Sequence, residues 1–594
     1  MFVMGIAVKK QLEIPASVIG VRTRIACLLL ASAIVILIGQ AGRELVAPDD
    51  LREVEVAREM YKEGSYVVPH LAGLPFVEKP SGFQAAIAAV YRTVGEPSTA
   101  AARFTAAAFA LLSLVAVFLL GWRILGIEGG ALTVALLAFS ERFCRTAHNV
   151  LLDNALTAAI AFTVLFTWIA LEATDVRKKR LAYAAAGFSL GVSFLFKGFV
   201  GPAIFASGFL LYLIVSKRFG EIWHILRPLS VIAFLVPVLA WIVPFLLSAP
   251  SHLVREFFIQ NHFGRFIYAY DSHKGPIYFY PLIIWLEFAP GSIFLPLAVW
   301  MAWKTRKEGK NQAGIFFLSL FVGPLVLLSS SSAKDHVYFL PVYPALAMLV
   351  AWCIVRGWSS SGRAVKILTW IMTTMAILFA TSVLGLTVIR KGLTLSVATA
   401  TVTFVLGAAG CLFYIRRNNL RWTTVYIAVL FALGWCLWFT GPVAKADVAR
   451  RSIRRPMLEA LSHAGSRDIL LYKPTDGLRG AASFYRNRTA QEITSPDVLV
   501  ARLAGSQNKV VALLYWIDKD VLPPQLLEAA QSKGRDLQIE ASIRLGKRYL
   551  LLVSAGTAVR KAENAGKPMG LQAKAIFRET HQSVRGAGYD RIIF

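Results

Sequence analysis

The chain has 594 residues, of which 56% are hydrophobic and only 16% are charged. Water-soluble domains run at about 25% charged residues, so most of this chain is excluded from an aqueous setting. The formal net charge of +28 would suggest nucleic acid in a soluble protein. Here the cations sit in short segments beside apolar runs, where membrane topology explains them, and no nucleic-acid partner is expected.

A bilayer span needs about 20 consecutive apolar residues, and that rule predicts about thirteen spans here. The first, 24–40, is followed by charge and not by a small-residue cleavage site, so it is expected to be a span and not a cleaved leader. A polar segment over 41–103 follows. Further spans are expected at 104–122, 130–143, 151–171, 181–196, 200–215 and 226–247. After a polar and aromatic loop over 248–280 come 281–303, 315–329, 338–355, 367–388, 396–415 and 422–440.

Lys and Arg concentrate in short cytoplasmic loops. Alternate loops carry Arg177-Lys178-Lys179-Arg180, Lys217-Arg218, Lys304 with Arg306, Lys307 and Lys310, then Arg356, Arg363 and Lys366, then Arg416, Arg417 and Arg421. With Lys9, Lys10, Arg22 and Arg24, the pattern puts the N-terminus in the cytoplasm and the region after the last span outside. Segments 468–473, 510–516 and 537–554 read as strands and 524–533 as helix, a small α/β domain. The expected division is a membrane domain over 1–443 with external loops 41–103 and 248–280, a soluble external domain over 444–555, and a flexible basic tail over 556–594. The five cysteines, Cys27, Cys144, Cys353, Cys411 and Cys436, lie in or beside apolar stretches without metal-ligand or disulfide spacing, so packing is their expected role.

The first external segment begins Pro48-Asp49-Asp50-Leu51-Arg52. Leu51, Val54, Ala57, Met60 and Tyr61 fall at helical spacing, which suits an interfacial helix with its charges toward water. Asp49 and Asp50 stand at its start, where the helix dipole stabilises carboxylates. Lys79 follows in Phe76-Val77-Glu78-Lys79-Pro80, Asp153 lies where two apolar runs meet, and Lys197 interrupts an apolar stretch. Charges at membrane depth are costly and usually line a site or find partners. On the charge-derived topology Asp49, Lys79, Asp153, Lys197, His262 and the Lys334-Asp335-His336 cluster all fall on the external side. Acids and cations together at that boundary suit transfer from a lipid-linked phosphate: cations stabilise the departing phosphate, and a carboxylate takes or steers the acceptor's proton.

The resemblance to a known family is carried by Pro48-Asp49-Asp50-Leu51-Arg52, Glu55-Val56-Ala57-Arg58-Glu59-Met60, Val68-Pro69-His70-Leu71-Ala72-Gly73-Leu74 and Glu78-Lys79-Pro80. Farther on come Leu152-Asp153-Asn154, Lys197-Gly198, Asn261-His262-Phe263-Gly264-Arg265-Phe266, Gly275-Pro276-Ile277-Tyr278-Phe279-Tyr280 and Tyr338-Phe339-Leu340-Pro341. In this order they resemble the bacterial aminoarabinose–lipid A transferases and their relatives, within the protein O-mannosyltransferase group of GT-C membrane glycosyltransferases. Asp50 stands where that family usually has Glu, Ser81 where a second Pro is common, and Phe199 where Pro is usual.

The resemblance implies a mainly α, polytopic GT-C-like fold and an inverting transferase that uses a polyprenyl-phosphate sugar. Asp49 is then the catalytic acid acting on the acceptor and Asp153 a second acid. Arg52, Lys79 and Lys197 surround the donor phosphate, and Glu78, His262 and Tyr338 line the cavity. The expected setting is a monomer in the bacterial inner membrane, its partners being membrane lipids, the lipid-linked sugar and an envelope acceptor: lipid A, protein or another glycan. A divalent metal requirement stays open. The rival class is a transporter or flippase, for which the internal repeat typical of such folds is not evident.

Overall fold

The computed structural model describes residues 16–264, 274–306, 312–360, 363–391, 394–441, 451–506 and 509–556. The basic tail beyond 556 therefore lies outside the described residues, as does the start of the expected soluble domain.

Long apolar blocks that cannot face water close their backbone hydrogen bonds internally as helices, and the predicted blocks fall on helices, 130–143 and 281–303 each on parts of two. The early elements are α1 (Ala16–Leu37), α2 (Asp49–Glu63), α3 (Gly82–Val94), α4 (Thr99–Ala138), α5 (Glu141–Ala147), α6 (Asp153–Glu172), α7 (Val176–Lys197) and α8 (Val200–Ser216). Later crossings are Pro228–Ser248, Gln312–Ser330, Tyr343–Ser360, Arg363–Lys391, Leu395–Arg416 and Leu420–Thr440. Among the described residues, nine helices are long and apolar enough to span a bilayer, ten if Phe279–Glu287 and Gly291–Lys304, which meet at 117°, act as one. The expectation of about thirteen is reconciled by three features. α4 holds two blocks in one 40-residue element, α7 opens with the Arg177–Arg180 cations, and α8 has only 17 residues.

The reversal inside α4 was not visible in the sequence. Gly126 adopts φ 77°, ψ 172°, and the two limbs fold together so closely that a Cβ on Gly121 would lie 2.8 Å from the Cα of Gly130. A residue free of the Cβ penalty at positive φ is needed at such a turn. Glu128, just beyond it, pairs with Arg24 of α1 and, at 3.3 Å, with Arg421 near the start of the last crossing.

A five-stranded sheet follows the helices, in the order β4-β3-β5-β7-β6. Its strands are β3 (Asp468–Tyr472), β4 (Gln491–Ile493), β5 (Val510–Trp516), β6 (Leu537–Leu545) and β7 (Arg548–Ala555); β1 and β2 are the short hairpin His70–Leu71 and Leu74–Pro75. β3 runs parallel to β4 and β5, whereas β7 is antiparallel to β5 and β6. The single strand predicted over 537–554 is thus a hairpin that turns at Gly546-Lys547, where Gly546 supplies positive φ. The predicted helix 524–533 appears as Pro524–Ser532.

Strand alternation gives the sheet two destinations. Leu470, Leu514, Leu551 and Val553 pack beneath the helices Pro496–Gly505 and Pro524–Ser532. Leu471, Leu513, Leu550 and Leu552 join the same apolar core as α2, α3 and the membrane helices. The C-terminal unit therefore shares a core with the bundle.

Candidate active site

Successive residues on a helix point about 100° apart, and α2 uses this to divide its two leading acids. Asp50 turns inward, accepting from the Val46 N–H at 3.0 Å, the Val150 N–H at 2.8 Å and Arg103 at 3.1 Å. It staples the loop before α2 to the loop before α6. Asp49 turns outward with its side chain 47% exposed and takes a hydrogen bond of 2.9 Å from Arg52.

Arg52 is the hub of the site. Its side chain is 12% exposed and its guanidinium reaches Asp49 at 2.9 Å, Glu53 at 3.2 Å and Glu78 at 4.0 Å, and lies 5.6 Å from the Phe76 ring centroid. Burial works against its charge, but Asp49, Glu53, Glu78 and Asp476 together outweigh burial and raise its pKa. Glu53 is itself buried and accepts from the Gln84 amide of α3. Burial raises the Glu53 pKa, against the pull of Arg52 and Lys79.

The β1–β2 hairpin delivers the second part. Its exit strand leads to Glu78 and Lys79, which sit 3.8 Å apart. α3 then packs against α7 so tightly that a Cβ on Gly82 would lie 2.7 Å from the Leu195 carbonyl oxygen. That approach sets Lys79 beside Lys197. Burial chiefly lowers the Lys79 pKa, Arg52 and Lys197 add to the lowering, and Glu78 and Glu53 oppose it.

Lys197 ends α7 and Asp153 opens α6, each at the helix end whose dipole favours its charge. They form a buried ion pair, with side chains 7% and 4% exposed, and the Lys197 ammonium lies 4.4 Å from the Tyr338 ring centroid. Lys197 therefore does not snorkel to the interface, and Asp153 makes no side-chain cap. The backbone of His262 falls in the helical segment Glu256–Gly264, but its side chain lies outside the described residues. Asn261 next to it donates to the Val77 carbonyl at 3.4 Å, tying that segment to the loop carrying Glu78.

Asp49, Arg52, Glu78, Lys79, Lys197, Asp153 and Tyr338 thus gather at one end of the bundle. Glu53 and Asp476 belong there too and were missed. Glu53 hides in a run of charges, and its burial depends on α3. Asp476 comes from the C-terminal unit.

The Lys334-Asp335-His336 cluster divides into structural tasks. Lys334 donates to the carbonyls of Leu328 at 3.0 Å, Ser329 at 2.9 Å and Ser331. Asp335 caps the 3-10 turn His336–Val342 through the Val337 N–H. His336 bonds Glu287, which also binds Arg142 and, at 3.1 Å, Tyr343. The interfacial reading of α2 also needs correction: Glu53, Glu55, Arg58 and Glu59 are buried. α3 takes up Glu53 through Gln84, and the helix Asp476–Arg486 lies against the start of α2. Among the described residues, no group of three or more His, Cys, Asp or Glu side chains is arranged to hold a metal ion.

Known proteins resemble this chain in both sequence and fold. Residues 78–241 match the dolichyl-phosphate-mannose-protein mannosyltransferase family. The chain is 30% identical over 330 residues to an undecaprenyl phosphate-alpha-4-amino-4-deoxy-L-arabinose arabinosyl transferase of Edwardsiella ictaluri, the match covering 55% of this chain and 58% of that one. A protein of the same description from Pseudomonas savastanoi is 30% identical over 344 residues, covering 58% and 63%. The chain thus spans about three-fifths of the length of these relatives. The crystal structure of ArnT from Cupriavidus metallidurans bound to undecaprenyl phosphate superposes with a TM-score of 0.65 at 21% identity, covering 90% of this chain and 98% of that chain. By this superposition the chain has the fold of that ArnT structure.

Proposed function

We propose that this chain transfers a sugar from a polyprenyl-phosphate carrier to an envelope acceptor of the lipid A type, with inversion at the anomeric carbon. The observation that carries the reading is the meeting of Arg52, Lys79 and Lys197 with the outward-facing carboxylate of Asp49. In the step envisaged, an acceptor hydroxyl oxygen attacks the anomeric carbon as the bond from that carbon to the phosphate oxygen breaks. The electron pair goes to the phosphate, whose growing charge Arg52 and Lys79 stabilise. The hydroxyl proton passes to Asp49. Asp153 holds Lys197 toward the phosphate, while Glu78 and Tyr338 shape the cavity, with His262 placed there by resemblance alone. The matches to lipid-phosphate sugar transferases support this reading. We further place the site at the external face of a bacterial inner membrane, with residues 1–443 as the membrane unit and 444–555 as the external one.

The test is release of polyprenyl phosphate by purified protein given a labelled polyprenyl-phosphate sugar and a lipid A acceptor. Asp49→Asn is expected to lower transfer by about 10²- to 10⁴-fold, the usual weight of a general base. Normal transfer by the Asn variant removes Asp49 from its role. Movement of the lipid-linked sugar across proteoliposomes without any covalent product favours a transporter instead.

A further inference from the structure

The C-terminal unit does not merely rest on the bundle. Its helix Asp476–Arg486 lies along α2 with almost no space between the backbones. A Cβ on Gly477 would lie 3.0 Å from the Pro48 Cα, and one on Gly480 would lie 2.6 Å from the Leu51 carbonyl and 3.2 Å from the Arg52 nitrogen. The contact continues along α2: Glu59 accepts from Thr489 at 3.4 Å, and Lys62 donates to the Asn487 carbonyl at 2.8 Å. This seating sets Asp476, the first residue of its helix, beside the turn that bears Asp49 and Arg52. Asp476 is 39% exposed and 3.6 Å from Arg479, which is itself held by Glu492 at 2.6 Å.

The charge count around Arg52 is unusual for a phosphate site. Four carboxylates, Asp49, Glu53, Glu78 and Asp476, surround Arg52, with Lys79 and then Lys197 as the neighbouring cations, and Asp476 is also paired with Arg479. Asp49 is needed for the acceptor, and Glu53 is buried beneath Arg52. Asp476 is the carboxylate supplied from a different unit, and no step of the transfer uses it. A part-exposed anion close to a phosphate-binding guanidinium weakens the binding of any further anion by plain Coulomb repulsion.

We propose that the C-terminal unit forms a wall of the reaction site and supplies Asp476 as a competing counter-ion of Arg52, limiting how tightly the lipid phosphate is held after the sugar leaves. Asp476 is here a positioning residue, and the inference rests on the transferase reading above. A phosphate product held by Arg52, Lys79 and Lys197 is otherwise slow to depart, and a built-in competitor shortens its stay.

The test measures binding of undecaprenyl phosphate to the full chain in nanodiscs, for wild type, Asp476→Asn and Asp476→Glu, alongside product inhibition of transfer. Asp476→Asn is expected to bind undecaprenyl phosphate roughly three- to tenfold more tightly, the effect of one unit charge at a part-exposed site. Its product-inhibition constant should fall in step, and Asp476→Glu should stay within about twofold of wild type, because it keeps the charge. A merely structural role would loosen binding, so unchanged or weaker binding in Asp476→Asn overturns the proposal while leaving the transferase reading intact. If wild type does not bind undecaprenyl phosphate at all, that reading fails and this inference falls with it.

Discussion

Two charged clusters sit in apolar surroundings in this protein, and their difference separates a reactive site from a brace. Around Glu287 the balance is closed: one buried carboxylate is met by Arg142, His336 and Tyr343, linking α5 to three other elements. Around Arg52 the balance is open. Carboxylates outnumber cations, Asp49 is nearly half exposed, and the Lys79 ammonium loses part of its basicity to burial and to neighbouring cations. A charge at membrane depth does not by itself mark chemistry. Unbalanced charge with a carboxylate left exposed is the better sign.

Substitutions should pull the two clusters apart. Lys79→Ala is expected to lower transfer by about 10²- to 10³-fold, the scale for losing one preorganised donor to a developing oxyanion, with thermal stability in detergent close to wild type. Glu287→Ala should do the reverse. It strands Arg142 and costs about 3–5 kcal/mol of stability, read as a fall in melting temperature, while the folded fraction keeps its transfer rate per molecule. Equal losses of rate and stability in both variants would erase the distinction.

A third prediction concerns pH. Burial pushes the Glu55 carboxyl up to about 8, against the pull of Arg58, whose guanidinium it accepts at 2.7 Å twice. An acid whose folded pKa lies above its unfolded one binds more protons when folded, so stability falls as pH rises between the two values. The packing of α2 should loosen from the ordinary carboxylate range up to about pH 8, seen as faster amide exchange in α2. Glu55→Gln should flatten that dependence. The smallest effect is expected from Lys62→Ala, which removes one exposed hydrogen bond to the Asn487 carbonyl and should cost no more than about 1 kcal/mol.

Legibility from the residues followed the range of the forces involved. The apolar blocks declare the helices because no other backbone state is tolerated in a bilayer, so even the short block at 130–143 falls on helix, as the second limb of α4 and the start of α5. Asp49 at the start of a charged helix, Lys79 just before apolar residues resume, and Asp153 and Lys197 in apolar stretches stood out in the sequence, and the fold brings them together. Glu287 had the same signature inside Trp285-Leu286-Glu287-Phe288, yet its partners lie far away in the chain. Whether such a residue is balanced depends on tertiary contacts that a local pattern does not carry. Asp476 was invisible for the same reason. Nothing in a surface helix of an α/β unit announces that Gly477 and Gly480 let it touch the backbone of α2.

The reversal at Gly126 has a consequence for how the protein is made. Glu128 meets Arg24, which has already left the ribosome when the hairpin forms, and also Arg421, which is synthesised long afterwards. Trp422 beside it also receives the Arg24 guanidinium, 5.3 Å from its ring centroid. The acid thus works as a clasp that shuts last, joining the earliest and latest crossings of the bundle. Until that final segment is made, Glu128 has Arg24 to pair with but not Arg421.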